Sequence, residues 1–166
     1  MHESKIFDHT EGYELHGINK YLSDKKGGNI HDNGTICITP SSIQPSDSIY
    51  QNNPRFLCDF NELSKKENQN KLITRFANKK NRTSDYPRSW IIECSNDNNS
   101  CVTVDTRNDE RVMNNNDVCH TFKCQNQQNE YLRYIKVTST GTCWSGASRY
   151  YFDLSAIEFY GFLDED

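Results

Sequence analysis

The side chains best suited to bind a transition metal lie close together near residue 120. Cys119, His120 and Cys124 offer two thiols and an imidazole, which are the ligands that Zn²⁺ prefers. The stretch has no Cys-x-x-Cys pair. Since successive side chains of a strand point to opposite faces, Cys119 and His120 would diverge. We therefore expect ordinary strand residues here and no zinc site.

Oxygen ligands for calcium are found in one loop-like stretch, at Asp47, Asn52 and Asn53. Calcium takes about six to eight oxygens, and aspartate and asparagine in such stretches more often form turns. The sequence therefore predicts no bound cofactor.

No catalytic motif is found along the chain. The five histidines lie mostly near the N-terminus, and there is no G-x-S-x-G, H-E-x-x-H or phosphate-binding glycine loop. Spacing alone does not test a cysteine–histidine pair that the fold would bring together. We expect a protein that is not an enzyme.

The composition points away from nucleic acid and membranes. The 166 residues carry a net charge of -4, which disfavours polyanionic partners. No apolar run would span a bilayer, and the N-terminal residues lack the apolar core of a signal peptide. Seven cysteines, an odd number without framework spacing, predict a reduced cytoplasmic protein. Sequons at Asn33, Asn81 and Asn98 favour the extracellular alternative.

Hydrophobic spacing predicts one helix followed by many short strands. Leu15, Ile18 and Leu22 have helical spacing. In "PRSWIIECSND", Trp90, Ile92 and Cys94 share one side of an extended chain that ends in turn-forming residues, so we expect Trp90 in a core. The predicted strands cover 35–39, 55–60, 71–76, 89–95, 101–105, 119–124, 131–138 and 154–161. Regularly spaced strands of this kind are typical of an antiparallel sandwich or barrel.

Several of these stretches resemble one family in the order in which they occur. "SWIIECSND" resembles the signature strand of the discoidin domain, the C-terminal module of coagulation factors V and VIII. "FLCDF", "YLRYIKVTSTGTCW" and "LSAIEFYG" resemble further strands of that family, and the N-terminal part resembles the lead-in of an intracellular branch that is abundant in protists. The resemblance covers nearly the whole chain.

The resemblance implies an all-β, antiparallel jelly-roll sandwich of about eight strands, of the galactose-binding-domain-like type, with a short N-terminal helix. It divides the chain into a lead-in segment at 1–34, a sandwich at 35–163 and an acidic tail at 164–166. Extracellular relatives often join their termini by a disulfide, but here no cysteine precedes Cys37 or follows Cys143. The segment between Ile43 and Arg55 is shorter than expected, so we do not carry over a calcium site or a membrane-inserting spike.

The resemblance also implies that three loops meet at one end of the sandwich, namely Ser42–Pro54, Ala77–Ser89 and Gly141–Tyr151. They are rich in forked donors and aromatic rings, which suit sugars and equally suit protein interfaces. Taken singly, Lys80 would be a solvated loop tip and Trp144 a core or rim residue. The expected ligand contacts are Tyr50, Asn52, Lys80, Arg82, Trp144 and Arg149.

These loops predict a non-catalytic module that binds a carbohydrate or glycoconjugate. The alternative is an intracellular protein-interaction module, and a phospholipid surface is a third, less supported partner because Ile43 and Ile49 are the first loop's only large aliphatic residues.

Overall fold

The computed structural model describes residues 4–11, 13, 15–41, 54–58, 86–114, 120–126, 128, 130–146, 148, 152, 154 and 156–164. Within them the chain forms one α-helix, α1 (Ile18–Lys26), and five strands: β1 (Lys5–Phe7), β2 (Trp90–Ser95), β3 (Val102–Arg107), β4 (Tyr134–Ser139) and β5 (Gly161–Leu163). The strands form two antiparallel sheets, consistent with a small β-sandwich, and the predicted β-rich class is confirmed to that extent. The helix found in these residues is too short and too polar to cross a bilayer.

Helix α1 confirms the predicted lead-in helix, and its start is held by a distant carboxylate. Gly17 provides no side-chain cap. Instead, the backbone N–H groups of Asn19 and Lys20 donate to the two carboxylate oxygens of Glu158, at 2.7 and 2.9 Å. A β-carbon on Gly17 would lie 2.3 Å from the carbonyl oxygen of Phe159, so only glycine fits this close approach. The helix ends at Gly27, which has a φ of 76° and is in the left-handed conformation that a C-terminal glycine permits.

The core beneath α1 combines residues from distant parts of the chain. Leu22, Ile30, Cys58 and Ala156 form one buried cluster. Close by, β1 and β5 pair with Lys5 opposite Leu163 and Phe7 opposite Gly161, and Leu163 packs against the cluster. The N-terminal helix therefore packs on residues from the C-terminal end of the described chain.

The three-stranded sheet has the order β3-β2-β4, so the predicted aromatic strand is its centre. Trp90 is 5% exposed, and its ring lies edge-on to Phe122 and Phe152, with centroid distances of 5.2 and 6.4 Å. This confirms that Trp90 is a core residue. The register between β2 and β3 shifts after Ile92, and such a bulge increases the local twist.

Other predicted strands are wrong, and the reasons are local. Residues 35–40 are irregular. The predicted strand at 55–60 is a 3₁₀ helix at Pro54–Cys58 where it is described, because proline is preorganised for the first helical position. A short apolar run does not distinguish the two structures. The prediction at 71–76 lies outside the described residues, so eight strands and a jelly-roll order are not established.

The remaining strand predictions differ in position. β4 begins three residues later than predicted, and residues 156–160 are irregular, with β5 beginning at Gly161. Residues 120–124 follow the edge of β3 without being a strand. Arg107 attaches them there, since its Nε donates to the buried carboxylate of Asp105 at 2.9 Å and its Nη2 donates to the carbonyl oxygen of Lys123 at 2.7 Å.

Candidate functional site

One end of the three-stranded sheet gathers three connecting segments. In the antiparallel register Trp90 pairs with Arg107 on one side and Ser139 on the other. The residues before β2 and after β3 and β4 therefore lie at the same end, which we call the Trp144 end (residues 86–89, 108–114 and 140–146).

Backbone hydrogen bonds fix these three segments to one another. The N–H of Glu110 donates to the carbonyl oxygen of Arg88 at 2.8 Å, and the N–H of Thr140 donates to that of Ser89 at 3.0 Å. The Ser89 hydroxyl accepts from the N–H of Asp109 at 3.1 Å. Residues 88 and 89 thus join both neighbouring loops, so the side chains at this end have defined positions.

Two guanidinium groups lie over the indole ring of Trp144. The Cζ atom of Arg88 is 4.7 Å from the ring centroid, and that of Arg111 is 5.7 Å from it, both within the range of a cation–π interaction. Trp144 is half-buried, and its Nε1 atom is buried with no hydrogen-bond partner. The ring is therefore a platform that orients two arginines from different loops.

The two arginines differ in their electrostatic surroundings. Arg88 forms an ion pair with Asp109, whose Oδ1 accepts a hydrogen bond from the Arg88 Nε. Arg111 is exposed, and no carboxylate in the part of the chain that is described forms an ion pair with it. The neighbouring Glu110 accepts from the backbone N–H of Val112 at 3.3 Å, which caps the 3₁₀ helix Arg111–Met113. Met113, 3% exposed, holds that turn against the protein.

Of the six predicted contact residues, Trp144 is the one that lies within the described part of the chain. Trp144 lies at this end, and it meets Arg88, which belongs to the predicted loop Ala77–Ser89. The predictions at Tyr50, Asn52, Lys80, Arg82 and Arg149 lie outside the described residues. Tyr86, also in the predicted loop, is only 3% exposed and is a core residue rather than a surface contact.

The sequence analysis missed Arg111 and Asp109. Both follow β3, and an antiparallel neighbour of β2 must end where β2 begins. Strand direction was therefore a usable signal for this third loop, although the resemblance placed other loops at the recognition end.

The cysteines and histidines form no second site in the described ranges. His120 packs edge-on against Phe122 at 4.6 Å, Cys124 is exposed, and Cys119 is outside the described residues. No group of three or more histidine, cysteine or acidic side chains there is arranged to hold a metal ion. Cys58, Cys94 and Cys143 are buried. Burial is common for free cysteines, which behave as small apolar side chains.

The opposite end of the same sheet exposes apolar side chains. Val102, Tyr131, Tyr134 and Ile135 have exposed fractions of 44 to 51%. As successive residues of β4, Tyr134 and Ile135 face opposite sides of the sheet, so these four residues border this end on both faces, and we call the set the Tyr134 surface. Val102 and Ile135 both pair with the buried Cys94, and β4 lies at the edge of the sheet that the described residues form. The end opposite Trp144 therefore exposes large apolar side chains beside polar loop residues.

Compared with family models, curated proteins and solved structures, the chain has no match.

Proposed function

We propose that this protein is a non-catalytic binding module that recognises a carbohydrate or glycoconjugate through the Trp144 end. The observation that supports this most is the cation–π contact between Arg88 and Trp144, which come from different loops. Sugar recognition requires rigid, forked donors and acceptors beside an aromatic surface. Arg88, Arg111, Asp109 and Trp144 supply all three. Tyr50, Asn52, Lys80, Arg82 and Arg149 remain predicted contacts.

We also propose the finer fold that the resemblance implies, an eight-stranded jelly roll of the galactose-binding-domain-like type. The two antiparallel sheets and the central aromatic strand support it. Hydrogen exchange of the peptide 71–76 tests it directly. Slow exchange is expected for a strand in a sheet, whereas complete exchange within seconds would contradict the proposed topology.

Thermal unfolding against a panel of simple sugars, each with calcium and with a chelator, tests the function. A ligand at about a hundred times its Kd stabilises by about 2.7 kcal/mol, and each kcal/mol shifts the Tm of a chain of this size by about 2–4 °C. We expect one sugar class to give such a shift. A shift abolished by the chelator would overturn the prediction that no calcium is bound, and no shift with any sugar would overturn the function.

Variants locate the site. Trp144→Ala should lose the sugar-dependent shift, measured relative to the variant's own Tm. Tyr131→Ala, an exposed aromatic residue at the other end of the sheet, is the matched control and should keep it. The double variant Arg82→Ala/Arg149→Ala should lose the shift with little change in Tm, because loop charges contribute little to stability. An unchanged shift there would contradict those two contacts.

The Tyr134 surface favours one second candidate, an intracellular protein-interaction module. Tyrosines and an exposed isoleucine beside an edge strand are what protein partners bind. A cytosolic protein retained by the wild type and by Trp144→Ala, but lost with Tyr134→Ala, would support this function. Equal retention by Tyr134→Ala would contradict it.

A further inference from the structure

Arg111 is an exposed cation of the Trp144 end, and within the part of the chain that the structure describes its guanidinium contacts the indole of Trp144 but no carboxylate. Arg88 donates its Nε–H to Asp109, and Glu110 accepts from the backbone of Val112. Asp109 and Glu110 each hold one of these contacts, whereas no described carboxylate forms an ion pair with Arg111. The buried Nε1–H of Trp144 is a further donor without an acceptor.

The position of Arg111 over Trp144 determines what it can bind. Its Cζ lies 5.7 Å from the centroid of the indole, and because the side chain is exposed, N–H groups of the guanidinium face solvent. Those N–H groups form a planar fork that matches the two oxygens of a carboxylate, sulfate or phosphate. The aromatic contact also limits the conformations of the side chain, so less entropy is lost when a ligand binds.

We infer that the ligand is an acidic saccharide, whose carboxylate or sulfate group binds the guanidinium of Arg111 above Trp144. This rests on the proposed function and names its ligand class. The distribution of apolar side chains favours a saccharide over a phospholipid surface. The exposed large apolar residues of the described chain, among them Ile6, Phe162 and the Tyr134 surface, are not part of the Trp144 end, and membrane insertion requires such residues beside the basic group.

The test compares two sugars that differ only in the acidic group, galacturonate and galactose, on the full chain. Calorimetric titration should give an affinity for galacturonate at least about tenfold higher, and this preference should fall as sodium chloride is added. Arg111→Gln should bind both sugars equally weakly, and Arg111→Lys, which keeps the charge but not the fork, should fall between. The matched control is Arg133→Gln, because Arg133 is exposed beside the start of β4 at the other end of the sheet. It should behave as the wild type.

The outcomes separate this inference from the function on which it rests. If galactose and galacturonate bind equally, with dependence on Trp144 but not on Arg111, the binding module stands and the acidic ligand is wrong. If neither of these two sugars binds but another sugar of the panel does, the acidic ligand is wrong and the binding module stands; if no sugar of the panel binds, both proposals fail. If inorganic sulfate binds as tightly as galacturonate, the site recognises an anion and the saccharide part is overturned. Arg111-dependent binding to phosphatidylserine vesicles, without binding to galacturonate, would likewise overturn it.

Discussion

Replacing Glu158 should weaken the contact between the start of α1 and residues 157–159, which cap this helix. Its carboxylate accepts from the backbone N–H groups of Asn19, Lys20 and Phe159 at 2.7 to 2.9 Å. The adjacent backbone adds to the junction, because the N–H of Ile18 donates to the carbonyl oxygen of Phe159 at 2.9 Å. One side chain thus takes the place of an N-cap that Gly17 does not supply.

The magnitude follows from these contacts. A hydrogen bond to a charged group is worth about 1.5–3 kcal/mol, and a buried amide without an acceptor costs about 1–3 kcal/mol. The cost of burying the carboxylate offsets part of this gain. We therefore expect Glu158→Ala to lower the free energy of unfolding by about 2–3 kcal/mol, measured by urea unfolding followed by far-UV circular dichroism.

Asp24→Asn is the matched control on the same helix. It removes one carboxylate from an exposed i, i+4 pair with Lys20, and such pairs contribute about 0.3–0.5 kcal/mol. If Glu158→Ala costs no more than this control, the carboxylate does not hold the helix start and the proposed cap is wrong.

The pH dependence gives an independent check. Burial raises the pKa of Glu158, although the N–H groups of Phe159, Lys20 and Asn19 act to lower it. Since the folded pKa lies above the unfolded value, this group's contribution to stability is complete below the unfolded pKa. It is lost as the pH rises through the folded value. The difference in unfolding free energy between the wild type and Glu158→Gln should therefore shrink as the pH rises from the pKa of an unfolded glutamate, about 4.3, through the higher folded pKa. A difference that grows would refute the assignment.

Three further predictions concern single side chains. Trp90→Ala should lower the free energy of unfolding by about 3–5 kcal/mol because the ring is 5% exposed; a loss below about 1 kcal/mol in urea unfolding would place the ring outside the core. Burial raises the pKa of the Cys58 thiol to about 12, so alkylation at about pH 8 followed by mass spectrometry should leave it unmodified while exposed Cys37 reacts; equal labelling would contradict its burial. The backbone N–H of Ser100 is the main group that lowers the pKa of Asp97, and the Ser100 hydroxyl adds to it. Ser100→Ala should therefore raise that pKa in an NMR titration, and an unchanged value would mean that the hydroxyl bond does not persist in solution.

The sequence predicted those helices and strands whose signal lies within their own residues. α1 shows the spacing of an amphipathic helix and ends at a glycine, and β2 is a short apolar run that begins with a buried tryptophan. β1 and β5 were not predicted because each has three residues and is stabilised by the other. Pairing between such short, distant segments leaves no periodic signal in either one.

The candidate site was predictable only in part for a similar reason. Trp144 was predicted as a contact through its residue type, since tryptophan is typical of binding surfaces, whereas Arg88 was included only as part of the predicted loop Ala77–Ser89. Arg111 is equally suitable by type, but its role depends on a 3₁₀ helix of three residues held by Met113. That turn, rather than any motif, brings its guanidinium over the indole.

The pairing of β1 with β5 has a consequence for how the protein folds. The capping contact between Asn19 and Glu158 joins residues 139 positions apart, and the strand pairing joins residues still further apart. Closing such long loops costs entropy before any contact repays it, and folding slows as contacts become more distant in sequence. During synthesis, β1 and the start of α1 must wait for residues 157–163 to leave the ribosome. The N-terminal part of this fold therefore acquires its partners last, although it is made first.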